Sequence, residues 1–251
     1  MDPSSPPFKR ILLKLSGEML AGPDAGGLDD DAIDFVAGEV AAARQAGVEI
    51  GLVVGAGNLC RGAGPNPSNL SVTRQKLDAM GMLATALNTI ALQDRLQQMG
   101  LEAVHMSTLG AIPHARKFDM AEAQAALSRG AVLLFSGGTG LPFFSTDTAA
   151  CVRALQVEAE ALFKGTQVDG VYDRDPRAES PDPAVRMPHV TYGEVLAKGL
   201  QFMDPSAAAL CAQHNLPTVV FNAHGKGNLG RALNGALPCS LVDNEEENSD
   251  A

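Results

Sequence analysis

Short apolar runs bounded by glycine alternate along this chain with longer stretches of helical period. Ile11, Leu12, Leu13 and Leu15 form the first run, too short for a helix and broken by Lys14, which predicts a strand buried on both faces. Leu28-Asp29-Asp30-Asp31 opens a helix to about Ala46, its acidic residues in the first turn where the helix dipole favours them, and Gly47 ends it. A second strand is expected over Val48 to Val54. From Leu70 to Met99, Leu77, Met80, Leu83, Ala84, Leu87, Ile90 and Ala91 recur at helical spacing. They predict a long helix that buries those positions against the body and against another subunit. Leu101 to Met106, Ala131 to Phe135 and Ala161 to Lys164 read as further strands. A helix is expected over Ala121 to Ser128, and another running through Glu158 that Ser145, Thr146 or Asp147 would cap. Thr191 to Lys198 and Asp204 to His214 read as helices, with Pro205 accommodated in a first turn, and Pro217 to Phe221 as a strand. This alternation predicts an α/β fold, a central and mainly parallel sheet sandwiched between two layers of helices.

Composition narrows the setting. With 251 residues, 45% of them hydrophobic, the chain can bury a substantial core as one domain or two closely merged lobes. The formal net charge is -10, but Asp243, Glu245, Glu246, Glu247 and Asp250 crowd the end, and without those five the balance is -5. A mildly acidic body argues against nucleic acid as a partner and leaves anion binding to local lysine and arginine. Cys60, Cys151, Cys211 and Cys239 show no CxxC spacing, and the five histidines share no ligand spacing, so reduced thiols and no resident metal are expected. No apolar leader opens the chain and no uncharged run reaches the roughly 18 residues of a membrane span, which points to a cytoplasmic protein. Residues 1–7 and 243–251 read as flexible termini around a domain spanning 8–242.

The candidate chemistry lies where strands end. Lys14 precedes Ser16-Gly17 at the carboxyl end of the first strand, where parallel sheets place their ligands. An ammonium and free amides would converge there on an anion, although a lysine snorkelling past an ordinary glycine turn fits the local sequence equally. The second strand runs into G-A-G-N-L-C-R-G-A-G, and the fourth into S-G-G-T-G followed by L-P-F-F-S-T-D. Beyond Lys164, the stretch K-G-T-Q-V-D-G-V-Y-D-R-D-P carries turn signals at Asp169-Gly170 and Asp175-Pro176 and is expected to form a hairpin over the sheet edge. No G-x-x-x-x-G-K-[ST] loop occurs. Phosphate chemistry without a P-loop is the reading these strand ends share.

Six motifs taken in order resemble the amino-acid kinase superfamily, and within it the bacterial uridylate kinases. They are R-I-L-L-K-L-S-G-E, G-x-G-N-L-x-R-G, D-x-M-G-M-L-A-T, G-T-G-x-P-F-F-x-T-D, K-x-T-x-V-D-G-V-Y-x-x-D-P and Y-x-E-V-L, and they cover about residues 8–242. The resemblance implies the amino-acid kinase fold and transfer of phosphate from ATP to UMP, giving UDP, with Mg2+ carried on ATP. It implies a homohexamer activated by GTP and inhibited by UTP. It also divides the chain into an acceptor-binding part, about 8–160, and an ATP-binding part, about 161–242.

Carried over by position, the resemblance makes Lys14, Arg61 and Asp147 catalytic, with Asp147 organising lysine or magnesium rather than acting as a base. Lys14, Leu15, Ser16, Gly17, Gly57, Arg61, Lys164, Thr166, Tyr172 and Asp175 correspond to ATP-binding positions. Ala56, Asp78, Thr139, Gly140, Leu141, Pro142, Phe143, Phe144, Ser145 and Thr146 correspond to UMP-binding positions, Asp78 facing the ribose. Gly22, Pro23, Asp24, Ala25, Gly26 and Gly27 match the GTP-responsive segment. Two positions depart from the family. Ala56 replaces a glycine, which is harmless unless that residue needs a positive φ. Leu141 replaces an asparagine facing the base, so selectivity for uracil either relaxes toward CMP or is kept by backbone groups of Thr139 and Gly140, and the second is expected. Gly165 replaces the usual alanine, a change of little expected weight. A nucleotide-binding storage or regulatory protein on the same fold is the alternative that Leu141 keeps open.

Overall fold

In the computed structural model, which describes residues 7–22, 26–60, 71–178 and 182–245, the apolar runs become strands of one sheet. In chain order the elements are β1 (Arg10–Leu15), a 3-10 turn (Gly17–Leu20), α1 (Asp30–Gln45), β2 (Glu49–Val54), α2 (Arg74–Gln98), β3 (Ala103–Ser107), β4 (Arg116–Lys117), α3 (Met120–Ser128), β5 (Val132–Ser136), α4 (Thr146–Gln156), β6 (Ala161–Thr166), β7 (Val171–Tyr172), β8 (Arg186–Met187), β9 (His189–Thr191), α5 (Tyr192–Lys198), α6 (Pro205–Gln213), β10 (Thr218–Asn222), α7 (Asn228–Leu233) and β11 (Cys239–Asp243). Side chains close the helix starts as the sequence signals: Asp29 caps α1, Asp119 caps α3, Asp204 caps α6, and Thr191 with Glu194 forms a capping box on α5.

The nine strands of the main sheet lie in the order β4-β3-β5-β2-β1-β6-β10-β11-β9. Every neighbouring pair is parallel except β10 with β11. Alternation along each strand divides the core between the two faces. Ile11, Leu13 and Leu15 join α1, α2 and α7 on one face, whereas Leu12 joins α3, α4, α5 and α6 on the other. Lys14 therefore points to the α4 face. So does Lys164, whose neighbour Leu162 packs there, and the two lysines are direct partners in the β1–β6 register. Because β1 leads by α1 to β2 on one side, while β6 has β10 on its other, this junction is the crevice where an open parallel sheet places ligands.

Three features differ from the reading of the sequence. The hairpin is not closed within 164–176: β7 pairs with the distant β8 in a separate two-stranded sheet, and Asp175-Pro176 falls in the excursion between them. The strands β4, β8, β9 and β11 and the helix α7 are too short or too polar to carry a period, and β11 holds residues up to Asp243, the start of the expected tail. Helix α2 buries only part of its expected apolar set within this chain. Ala84, Thr85, Asn88, Thr89, Leu92 and Leu96 are buried, whereas Met80, Leu83 and Leu87 are 40%, 52% and 56% exposed.

Candidate active site

Asp147 joins the two lysines. It sits in the first turn of α4, but Ser145 is the residue that caps this helix, accepting from the amides of Asp147 and Thr148. Relieved of capping, the Asp147 carboxylate reaches Lys14 Nζ at 2.7 Å through Oδ1 and Lys164 Nζ at 2.5 Å through Oδ2. Burial pushes this carboxyl up, yet the two ammonium groups more than offset that and hold it well below the usual carboxylate range. Asp147 stays ionised at neutral pH. Burial, and then the charge of Lys14, draw Lys164 down from 10.5 to about 8 against the attraction of Asp147. Two like charges on adjacent strand ends are stable together only because one carboxylate lies between them.

The two lysines form one wall of a cleft of about 490 Å³ that Lys14, Ser16, Lys164, Thr166, Tyr172 and Asp175 all line. Thr166 donates to the Val168 carbonyl at 2.6 Å and Tyr172 to Asp169 at 2.6 Å, which fixes the start of the excursion. Glu18, Met19, Gln167, Val168, the segment 198–202 and His224 line it too. None of these was a candidate from the sequence. The signal available was Gly199, left-handed at the end of α5, where the chain leaves a helix at the cleft.

Leu15 lies outside the cleft, buried in the core. Gly17 does not turn the chain through a positive φ; its role is steric. A Cβ there would stand 2.4 Å from Asn58 Oδ1 and 2.5 Å from the Gly55 carbonyl oxygen, so only glycine lets the turn after β1 approach the loop after β2. That loop holds Gly57 and Ala56. Ala56 has no positive φ, so its methyl strains nothing. At Gly165 an added Cβ would meet Leu15 Cδ2 at 2.5 Å and Ala223 Cβ at 2.7 Å, so the departure from alanine is matched by its neighbours and is not a minor one. Arg61 lies outside the described residues, as do Pro23, Asp24 and Ala25 of the glycine-rich segment. Gly22 and Gly26–Gly27 flank them.

The loop from Gly137 to Ser145 hangs beside this site from α2. Gly137 N–H donates to Thr85 Oγ1 at 2.9 Å and Phe143 N–H to Asp78 Oδ2 at 2.9 Å, while Asp78 also pairs with Arg74 at 2.8 Å. Gly137 is left-handed with Thr108 Oγ1 where a Cβ would go, and Phe143 adopts φ 71°, which is strained for a bulky residue. Thr139 closes a local turn with Leu141. Leu141, Phe143 and Phe144 face solvent. Asp78 and the residues 139–146 thus come together, as the sequence grouped them, and Asp78 holds the loop's own backbone.

Convergent ammonium groups, glycine loops and a strand-end cleft, with no P-loop, suit the binding of a polyphosphate and its transfer chemistry. The chain belongs to the amino acid kinase family, whose model matches residues 9–222. It is 42% identical over 241 residues to a uridylate kinase of Chelativorans sp., covering 96% of each chain, and 43% identical over 242 residues to one of Zymomonas mobilis, covering 96% of this chain and 98% of that one. Among solved structures it is similar to the UMP kinase from Bacillus anthracis, with a TM-score of 0.88, 29% identity and coverage of 96% and 98%. The UMP kinase from Ureaplasma parvum gives a TM-score of 0.87 at 30% identity, covering 94% of this chain and 98% of that one.

Proposed function

We propose that this chain transfers the γ-phosphoryl group of ATP to UMP. A phosphate oxygen of UMP bonds to the γ-phosphorus as the bond to the β,γ-bridging oxygen breaks, giving UDP and ADP. The observation that carries this reading is the Lys14–Asp147–Lys164 group at the crevice between β1 and β6. The ammonium groups neutralise the charge that spreads over the moving phosphoryl group, and Asp147 aims them. With both oxygens held by lysine and its pKa depressed, Asp147 is a poor base; UMP, whose phosphate is ionised near neutral pH, needs none. The β6 side of the crevice takes ATP in the cleft of Thr166, Tyr172 and Asp175. The β1 side takes UMP between the Gly55–Asn58 loop, Asp78 and residues 139–146. Arg61 completes the charge between the nucleotides.

Magnesium enters with ATP and screens its phosphates. Among the described residues no group of three or more His, Cys, Asp or Glu side chains converges on a metal position; a metal carried on ATP would supply positive charge at its phosphates, beside the Asp147 carboxylate. Among those residues no helix is long and apolar enough to cross a membrane, in keeping with catalysis in the cytoplasm. The outward Met80, Leu83 and Leu87 of α2 support assembly, a homohexamer by the family's pattern. The segment 22–27 receives GTP as activator, and UTP inhibits. A mass in light scattering no larger than the 26.1 kDa chain would refute the assembly, and identical ATP saturation with and without GTP the activation. ADP release measured with UMP, CMP, dCMP, glutamate and carbamate as acceptors tests the reaction itself. UMP is expected to be the fastest acceptor, and equal or faster turnover with any other overturns the reading.

A further inference from the structure

Asn58 and Asn88 are buried, and each gives an amide N–H to the other: Asn58 Nδ2 to Asn88 Oδ1 at 2.9 Å, Asn88 Nδ2 to Asn58 Oδ1 at 2.8 Å. A carboxamide has a second N–H. Asn88 spends it on the Gly55 carbonyl at 2.7 Å, and Asn58 on the Gly27 carbonyl at 2.7 Å. Gly27 N–H returns a bond to the Asn58 carbonyl at 3.0 Å. Asn58 Oδ1 also stands where a Cβ of Gly17 would be. One pair of side chains, anchored on α2, thereby sets three segments against each other: the turn after β1, the loop after β2 and the segment ending at Gly27. Four amide hydrogens directed in a buried site fix these positions in a way that apolar packing of the same volume does not, because removing either partner strands the other's polar groups.

We propose that Asn58 and Asn88 are positioning residues. Acting as one unit, they hold the Gly55–Asn58 loop at the distance from Ser16–Gly17 that phosphoryl transfer requires, and they tie residues 26–27 to both. The first part rests on the kinase reading; the second does not. Asn58→Ala and Asn88→Ala, run beside the native chain with ATP and UMP, should each lower kcat about tenfold or more with KM changed less than about threefold, the scale expected when bound reactants are misplaced rather than released. The double variant should lose no more than the worse single variant. Asn88 is linked to Gly27 through Asn58, and Asn88→Ala should speed amide hydrogen exchange in the peptide covering 26–28. Should circular dichroism show an alanine variant unfolded, Asn88→Asp, which keeps the shape and removes the donors to Gly55 and to Asn58 Oδ1, takes its place under the same criteria. A kcat within twofold of native, losses that multiply in the double variant, or unchanged exchange at 26–28 each overturns the proposal. Absence of turnover in the native chain overturns the kinase reading instead, and hydrogen exchange then decides whether the pair ties these segments.

Discussion

The two sides of the crevice are built differently. Around Lys164, 7% exposed, the groups sit on strand ends whose places are fixed by ladder hydrogen bonds and by the core beneath them. Across from it, the loop carrying Leu141 and Phe143, 59% and 61% exposed, is hung from α2 by the bonds of Asp78 and Thr85 and contains a strained Phe143. The strand-end side is rigid because moving it would break the sheet; the loop side can be rearranged by exchanging a few hydrogen bonds. Under the proposed function, charge placement falls to the first and acceptor fit to the second.

Asp147→Asn should break this contrast most severely. It leaves Lys14 and buried Lys164 facing each other without a counter-charge, at a cost of about 3 kcal/mol, and the melting temperature should fall by about 6–12 °C. Activity should drop more than about 100-fold. A variant that melts like the native protein would show that the lysines do not depend on Asp147. Next, Lys14→Ala should lower kcat by about two orders of magnitude while melting stays near native, since Asp147 and Lys164 still pair. Near-normal turnover would remove Lys14 from the chemistry.

A smaller effect separates Lys164 from its surroundings. With its pKa near 8, the free enzyme loses this charge above that pH, so kcat/KM for ATP should decline on the alkaline side from about pH 8. Stability should move the other way. Between about 8 and 10.5 the unfolded chain keeps the proton that the folded protein has released, so this group's contribution to stability rises with pH. Lys164→Arg should erase the kinetic limb; its persistence would assign the limb to another group.

The smallest effect is expected on the loop. Leu141→Asn should change the ratio of kcat/KM for UMP over CMP by less than about threefold, because an exposed side chain contributes little and the proposed reading gives base selection to backbone groups of Thr139 and Gly140. A native ratio below about ten, less than about 1.4 kcal/mol, would mean that the backbone does not discriminate.

Much of this architecture was legible in advance. The central strands declare themselves because burial on both faces demands unbroken apolar runs, and the helix starts because Asp29, Asp119, Thr191 and Asp204 cap them locally. Lys14, Lys164 and Asp147 could be singled out as residues at strand and helix ends. Helix α2 was legible only in part: Met80, Leu83 and Leu87 point outward, whereas Leu92 and Leu96 pack inward beside Thr85 and Asn88, whose side chains serve the loops.

By itself the sequence determined the alternation of strands and helices and the glycine loops at their ends, which follow from local period and local backbone freedom, while its motifs carried the resemblance to a family. Only the tertiary structure decided that Lys14 and Lys164 are register partners on one face, that Ser145 rather than Asp147 caps α4, and that Asn58 and Asn88 clasp each other. Such meetings depend on strand order and register across the sheet, and no local pattern in the chain encodes which distant residues those will bring together.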